Sequence, residues 1–562
     1  MKSLLFPPPI RGGERHYQLI WTTTEILMQS HFLSDAFFDS LRSVRFTDRS
    51  TVFLKALLLI KGRNVYCVMK NKDALTQNIY NAFFSPLSIK KESFIGMELE
   101  FPIINLNQKP VDICLLQEMM NFLISNYNFE KLAADIDGKI YSVQNKHSKD
   151  IICFECSYNT LEFSMHKAQN IISISKRFYN YFNIINNILI PQNHIMTGLG
   201  FNPYYKFANP NAIKNNRYEK IYSIMNILKG HREIAWHNNL FSYICSVQTH
   251  LDVDIQRLPL FLNVFSRVEW IKAILFSNSL NPDSEIKNKN CLCNRDLVYN
   301  NSIFSYNKTN IKGFDVELKN VNDIIDDILD RSIYYTYRNS TFIFFKPTKL
   351  KDYFSTENLS GFKFACENKI EKTNFNPSYN DIQHFRSYNP LEITKLGTIE
   401  IRSDCQQPLN RTFQPSAFCL GILENLDQIE DYINKCFPSA IKKYSNSQLR
   451  EMFIYENNIV YALENSEIFN FIKEIIFISH DGLKKRNMGE EVFLEPLIKN
   501  MDKLDSPAMH MINLIKQNYA IEEIVHKYAD QDANFEFLKF LPLVSGGAAQ
   551  KQNPAHNANF KF

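Results

Sequence analysis

At 562 residues, with 45% apolar and 22% charged side chains, the chain has the balance of a globular protein with a large core, not that of a disordered or fibrous one. Its net charge of +4 is small for the length and no long Lys/Arg block occurs, so composition shows no polyphosphate-binding surface. The 16 glycines form no G-x-x-x-x-G-K-[ST] loop and no G-x-G-x-x-G following a strand, so any nucleotide phosphates are expected on metals and arginines.

Residues 1-90 read as an accessory region of unknown role. Pro7-Pro8-Pro9 and Gly12-Gly13 lie near the start, and Val52 to Met69 reads as a strand pair turning at Lys61-Gly62-Arg63-Asn64. The first residues lack the apolar stretch of a secretory signal, and the longest apolar run, Ala56 to Ile60, is too short to span a bilayer. Eleven cysteines in such a chain read as reduced thiols in a cytoplasmic protein. Neither a membrane nor nucleic acid is expected as a partner. Cys153-x-x-Cys156 and Cys291-x-Cys293 lack the turn glycines of a structural zinc site, and none is expected there.

From 91 to 420, strand-like segments alternate with helical ones. Lys167 to Ile190 has apolar residues at helical spacing, with Phe178, Tyr181 and Phe182 expected in the core, and Leu258 to Phe276 is a second long helix. The Asn-rich stretch 281 to 320 reads as surface loops. Residues 421-540 read as helical, including Ser466 to Ile478 and Pro507 to Lys516, and 541-562 as a mobile tail poor in bulky aliphatics. No internal repeat is present.

Four of the strand-like segments carry charged residues on one face. In Gly96-Met97-Glu98-Leu99-Glu100-Phe101 the two glutamates share a face, as do Glu400 and Arg402 in Thr398-Ile399-Glu400-Ile401-Arg402. Glu155 and Glu162 bracket the turn-like Cys156-Ser157-Tyr158-Asn159, which fits adjacent antiparallel strands facing one cavity or, equally, a solvated hairpin. Gln248, His250 and Asp252 alternate with Thr249, Leu251 and Val253. His250 could be a structural histidine, yet it shares its face with an amide and a carboxylate. Carboxylates aligned in a sheet repel one another unless a cation lies between them, and a hard divalent ion takes oxygen ligands. Arg402 is either a plain partner of Glu400 or a binder of phosphate or carboxylate. Several carboxylates, one histidine and a few arginines, with no nucleophile–base pair, suit phosphoryl transfer; metal-assisted hydrolysis is the competing chemistry.

These motifs, in order, resemble the glutamate–cysteine ligase family of the plant and proteobacterial type, and more widely the carboxylate–amine ligases related to glutamine synthetase. The resemblance runs from about 92 to about 530 and includes Gly96-x-Glu98-x-Glu100-Phe101, Phe154-Glu155, Leu161-Glu162, Gly198-x-Gly200-Phe201-x-Pro203 and Asn216-Arg217-Tyr218. It continues through Ser246-Val247-Gln248-x-x-Leu251-Asp252, Phe276-Ser277-Asn278-Ser279, Tyr335-Thr336-Tyr337-Arg338, Leu396 to Asp404 and Asp481-Gly482-Leu483-Lys484-Lys485-Arg486. It implies an α+β fold with a curved antiparallel sheet forming a funnel, helices packed outside, a ligase core over 91-420 and a helical part over 421-540. It further implies Mg²⁺ held by Glu98, Glu100, Glu155, Glu162, His250 and Glu400, with ATP as co-substrate. Arg402 and Glu400 would act at the transferring phosphate, Arg295 would bind phosphate or the donor acid, and Gln248, Tyr337 and Arg338 would lie near the substrates. The implied reaction makes an acyl phosphate and then an amide, by default γ-glutamylcysteine.

The chain departs from the family where Glu155-Cys156-Ser157 replaces Glu-Pro-Gly and where 281 to 311 lacks the Trp-containing pattern after the arginine. The ligase chemistry is therefore expected more firmly than the substrates. Another amine, amino acid or peptide acceptor, a metal-dependent hydrolase and a silent binding module stay open.

Overall fold

Strand β1, Ile95–Asn105, organises the fold. Ile95, Met97, Leu99 and Phe101 form one face and are fully buried, while Gly96 and Glu98 on the other are only partly covered. The computed structural model describes residues 74–88, 92–209, 211–215, 217–228, 238–281, 290–338, 341–364 and 370–529. The expected hairpin at 52–69, the proline and glycine residues near the start, Asn216 and the tail 541–562 lie outside the described residues. The chain divides into Met1–Ala74 and Leu75–Phe562, and the architecture below belongs to the second unit.

In chain order the elements that matter are α1 (Ile113–Asn126), β2 (Phe129–Ala134), β3 (Ile140–Asn145), β4 (Ile151–Phe154), β5 (Thr160–Ala168), α2 (Ile171–Leu189), β6 (His194–Met196), α3 (Tyr218–Leu228), β7 (Ser246–Leu251), α4 (Leu258–Phe276) and α5 (Asn294–Asn300). There follow α6 (Val321–Asp330), β8 (Ser332–Arg338), β9 (Thr341–Lys349), β10 (Leu359–Phe364), β11 (Ile370–Phe375), β12 (Leu391–Ile393) and β13 (Ile399–Cys405). The main sheet has the order β12-β13-β7-β1-β5-β4-β3-β2, with β6 on the end of β1, and its pairings are antiparallel. A second sheet, β11-β10-β9-β8, stands apart from it and was not foreseen in the sequence, where Tyr335 to Arg338 stood out only as a motif.

Helix α2 starts at Asn170, whose side chain accepts from Ser173 N at 2.8 Å, and seats Phe178 and Phe182 on Phe101 at ring separations of 5.3 and 5.2 Å. The stretch 281 to 320 is not simply surface loop. It contains α5 and two short helical turns, and its polar residues work inward: Asn310 is fully buried and donates to Ser332 O at 2.8 Å. Asn and Ser there serve as caps and buried donors, which composition alone cannot tell from solvated turns.

Beyond β13 the described residues are helical through Ala529. Two of these helices, Gln414–Glu424 and Ser466–Arg486, cross at their glycines. A Cβ on Gly421 would fall 2.1 Å from Ser479 O, and one on Gly482 would fall 2.2 Å from Gly421 O. The Asp481 to Arg486 motif is thus a packing device, finished by Arg486, whose Nε donates to Glu490 Oε2 at 2.6 Å and Nη1 to Glu424 Oε1 at 2.7 Å. Gly198 and Gly200 are close crossings too, with a Cβ at 2.3 Å from Gln407 O and at 2.8 Å from Asn278 O respectively.

Candidate active site

The register of the main sheet decides which charged residues meet. Glu98 pairs with Gln248, Glu400 with His250, Glu100 with Glu162, and Cys153 with Glu162. Period-two alternation then puts Glu400, His250, Glu98, Glu100 and Glu162 along one face of four adjacent strands. Glu155 follows β4, and its amide donates to Thr160 O at 3.1 Å across the hairpin that the sequence predicted.

Glu98, His250 and Glu400 each bring one ligand atom within 4.8 Å of the other two. His250 Nε2 lies 3.3 Å from Glu98 Oε1, and its Nδ1 lies 3.2 Å from Thr398 Oγ1, which fixes the ring. Glu100 accepts from Ser246 N at 2.7 Å and from Gln248 Nε2 at 2.8 Å, leaving Gln248 Oε1 buried without a partner among the described residues. Ser164 Oγ donates to Glu162. Asp252 accepts from the amides of Glu92 and Phe94, so it closes the entry to β1.

Uncompensated negative charge marks this face. Burial, with the charge and hydrogen bond of Glu100, pushes Glu155 well above the usual carboxylate range. Burial and the charges of Glu98 and Glu155 do the same to Glu162, and burial outweighs Arg402 to raise Glu400. Glu98 is the exception. Burial opposes its charge, but the hydrogen bond and charge of His250 hold it below its ordinary value. His250 is raised although burial works against it, because Glu98 and Glu400 favour its protonated form. A set of carboxylate oxygens and one imidazole, short of positive charge, fits a hard divalent cation such as Mg²⁺ or Mn²⁺.

A cavity of about 320 Å³ opens beside these strands. Glu100, Glu155, Gln248, Glu400 and Arg402 line it, together with Arg217, Arg295, Tyr299, Tyr388 and, at one side, Arg386 and Lys395. Arg402 Nη1 lies 3.3 Å from Glu400 Oε1, and its guanidinium stands over Tyr388. Arg295 is 6% exposed, sits over Tyr299 at 4.9 Å, and makes no side-chain hydrogen bond or ion pair among the described residues. Lys395 donates to Gln383 O at 2.6 Å, and burial, with Arg386 nearby, lowers its pKa to about 8. A smaller cavity of about 70 Å³ shares Arg295, Tyr299, Tyr388 and Arg402 and reaches back to Glu269, Asp296 and Arg450.

Tyr337 and Arg338 line neither cavity. Arg338 Nη2 donates to Asp381 Oδ2 at 2.6 Å, Nη1 bonds the other oxygen, and the same carboxylate takes Thr336 Oγ1 at 2.6 Å and Tyr353 OH at 2.8 Å. The arginine is spent on a buried carboxylate under the second sheet, and Tyr337 packs on His384. Sequence reading passed over Lys272, Glu269 and Arg450. The available signal was a Glu269/Lys272 pair inside the otherwise apolar Leu258–Phe276.

No protein-family model matches the chain, and no curated protein does so significantly. Among solved structures it is similar to a glutamate–cysteine ligase from Francisella tularensis in complex with AMP, at 13% identity over 80% of this chain and 92% of that one, with a TM-score of 0.41. It is also similar to a bifunctional glutathione synthetase from Pasteurella multocida, at 10% identity, 78% and 51% coverage and a TM-score of 0.39, so it spans about half that protein's length. Both of these solved structures are named as enzymes of glutathione synthesis, and the likeness to them carries no role to this chain.

Proposed function

We propose that the protein is an ATP-dependent carboxylate–amine ligase, by default joining glutamate to cysteine, with the cavity beside β1, β7 and β13 as its active site. The observation that carries this reading is the convergence of Glu98, His250 and Glu400 within 4.8 Å on a face also holding Glu100, Glu155 and Glu162, with Arg402 beside it. That set would hold Mg²⁺, which when bound screens the phosphates of ATP and offsets charge on the transferring group.

The remaining chemistry belongs to the chain. Arg402 neutralises charge on the γ-phosphoryl group as a donor carboxylate oxygen bonds to phosphorus and the bond to ADP breaks. Arg295, buried over Tyr299 and with no side-chain hydrogen bond or ion pair among the described residues, takes a phosphate or the non-reacting carboxylate of the donor. Gln248 Oε1, without a partner among the described residues, would accept from a substrate N–H. The amine then attacks the acyl carbon, loses a proton, and phosphate leaves with the C–O bonding pair. No side chain need form a covalent intermediate. The substrates would be small acids and amines of the cytoplasm, and no described helix is long and apolar enough to cross a membrane.

The test is ADP release from purified protein with Mg²⁺-ATP, glutamate and a panel of amines that includes cysteine, with products read by mass. ADP together with an amide supports the reading, and the amine that gives it names the acceptor. Hydrolysis of a substrate without ATP would replace it with the metal-hydrolase reading.

A further inference from the structure

Strand β13 carries an irregularity at the site. Ile401 pairs with Thr249 and Asp404 with Val247, so Arg402 and Ser403 together stand opposite the single residue Gln248. Such a bulge re-aims side chains and leaves backbone groups outside the ladder. Here Ser403 is gripped from behind. Arg450 Nη2 donates to Ser403 O at 3.0 Å, and Lys272 Nζ donates to Ser403 Oγ at 2.7 Å.

Arg450 also holds the other wall. Its Nε donates to Asp296 Oδ2 at 2.7 Å and its Nη2 to Asp296 Oδ1 at 3.1 Å, while Nη1 donates to Glu269 O at 3.2 Å. Asp296 is the neighbour of Arg295 on α5, as Ser403 is the neighbour of Arg402. Arg450 is 8% exposed, and its planar fork joins these two elements at the back of the cavity, next to the smaller links that Ser279 and Cys293 make from the start of α5 to Cys405. Lys272 completes the set through Glu269 Oε2 and Asp404 Oδ2, each at 3.2 Å.

We infer that Arg450 is a positioning residue for the reaction. By tying the Ser403 bulge to Asp296 it fixes the spacing of Arg402 and Arg295, two of the guanidiniums that line the cavity. This rests on the ligase reading of the same cavity. The alternative is that Arg450 merely satisfies a buried carboxylate, as many arginines do.

The experiment compares wild type with Arg450→Lys and Asp296→Asn, singly and together. Lysine keeps the buried charge, so the protein stays folded, but a point charge cannot bridge Asp296 and the Ser403 carbonyl. For Arg450→Lys the expected result is a fall of about tenfold or more in kcat/KM for ATP, with Mn²⁺ affinity within about twofold of wild type, because Glu98, His250 and Glu400 are untouched. Asp296→Asn gives a similar loss, and the double variant is little worse than either single one. Wild-type kinetics in Arg450→Lys overturn the inference and leave the ligase reading standing. So does a parallel loss of Mn²⁺ binding and thermal stability, which marks a purely structural role. If wild type itself releases no ADP with any acid and amine, the ligase reading fails and the inference falls with it.

Discussion

The crowded carboxylates should make the protein less stable as pH rises, and Mg²⁺ should offset that dependence. Glu155, Glu162 and Glu400 all titrate above the ordinary value of 4.5 in the folded protein, with burial as the leading cause. Above the unfolded-chain pKa the folded state therefore holds protons the unfolded state has lost, so stability declines until pH passes the raised folded values. His250 adds the same sign: raised above 6.5, its contribution is present at lower pH and lost as pH climbs through its folded pKa. Glu98 opposes, since its lowered pKa gives stability that disappears on acidification. Each proton retained only in the folded state is worth about 1.4 kcal/mol per pH unit. Glu162, 8% exposed, should contribute more of that fall than the partly exposed Glu155. Mg²⁺ at about a hundred times its Kd contributes about 2.7 kcal/mol by mass action, and its affinity rises as protons leave. Urea midpoints from about pH 5 to about pH 8, with chelator or with saturating Mg²⁺, read both effects. Metal-free stability that climbs across this range, or an Mg²⁺ gain equal at every pH, would refute the reasoning.

Glu400→Gln removes one charged ligand and should lower ADP release by about a hundredfold or more while the thermal midpoint holds or rises, because like-charge repulsion is relieved. Gly421→Ala sets a Cβ 2.1 Å from Ser479 O, so a fall in the urea midpoint equivalent to about 1–3 kcal/mol is expected despite the better helix propensity. Arg338→Ala strips the cationic partner of Asp381, whose side chain is fully buried, and leaves only the neutral donors Thr336, Tyr353 and Ser378; unfolding should show about 3 kcal/mol lost, with part recovered in Arg338→Ala/Asp381→Asn. Removing residues 1–73 should spare ADP formation, whereas removal through residue 90 should abolish folding, since Phe83, Phe84 and Leu87 are core residues; circular dichroism of the two truncations separates these outcomes.

Much of the candidate site's layout was legible because a strand's period is fixed. Once Glu98 and Glu100, or Glu400 and Arg402, lie two apart in an apolar strand, their shared face follows from the sequence alone. What period two cannot give is which strands are neighbours, so the meeting of His250 with Glu98 and Glu400 is a fact of register. Arg295 was named only by resemblance, and its desolvation depends on how α5 packs. Arg338 is the opposite case, since its buried partner Asp381 lies 43 residues on and no local pattern announces the pair. The Asn-rich stretch 281 to 320 misled for a related reason: Asn310 and its neighbours face inward to buried carbonyls, and composition carries no direction.

The most direct test of the ligase account follows one oxygen atom. With a donor acid whose reacting carboxylate carries heavy oxygen, an acyl phosphate hands one labelled oxygen to the inorganic phosphate released with the amide. That transfer is expected, dependent on the divalent cation and absent in Glu400→Gln. Phosphate that takes its new oxygen from water instead would contradict it.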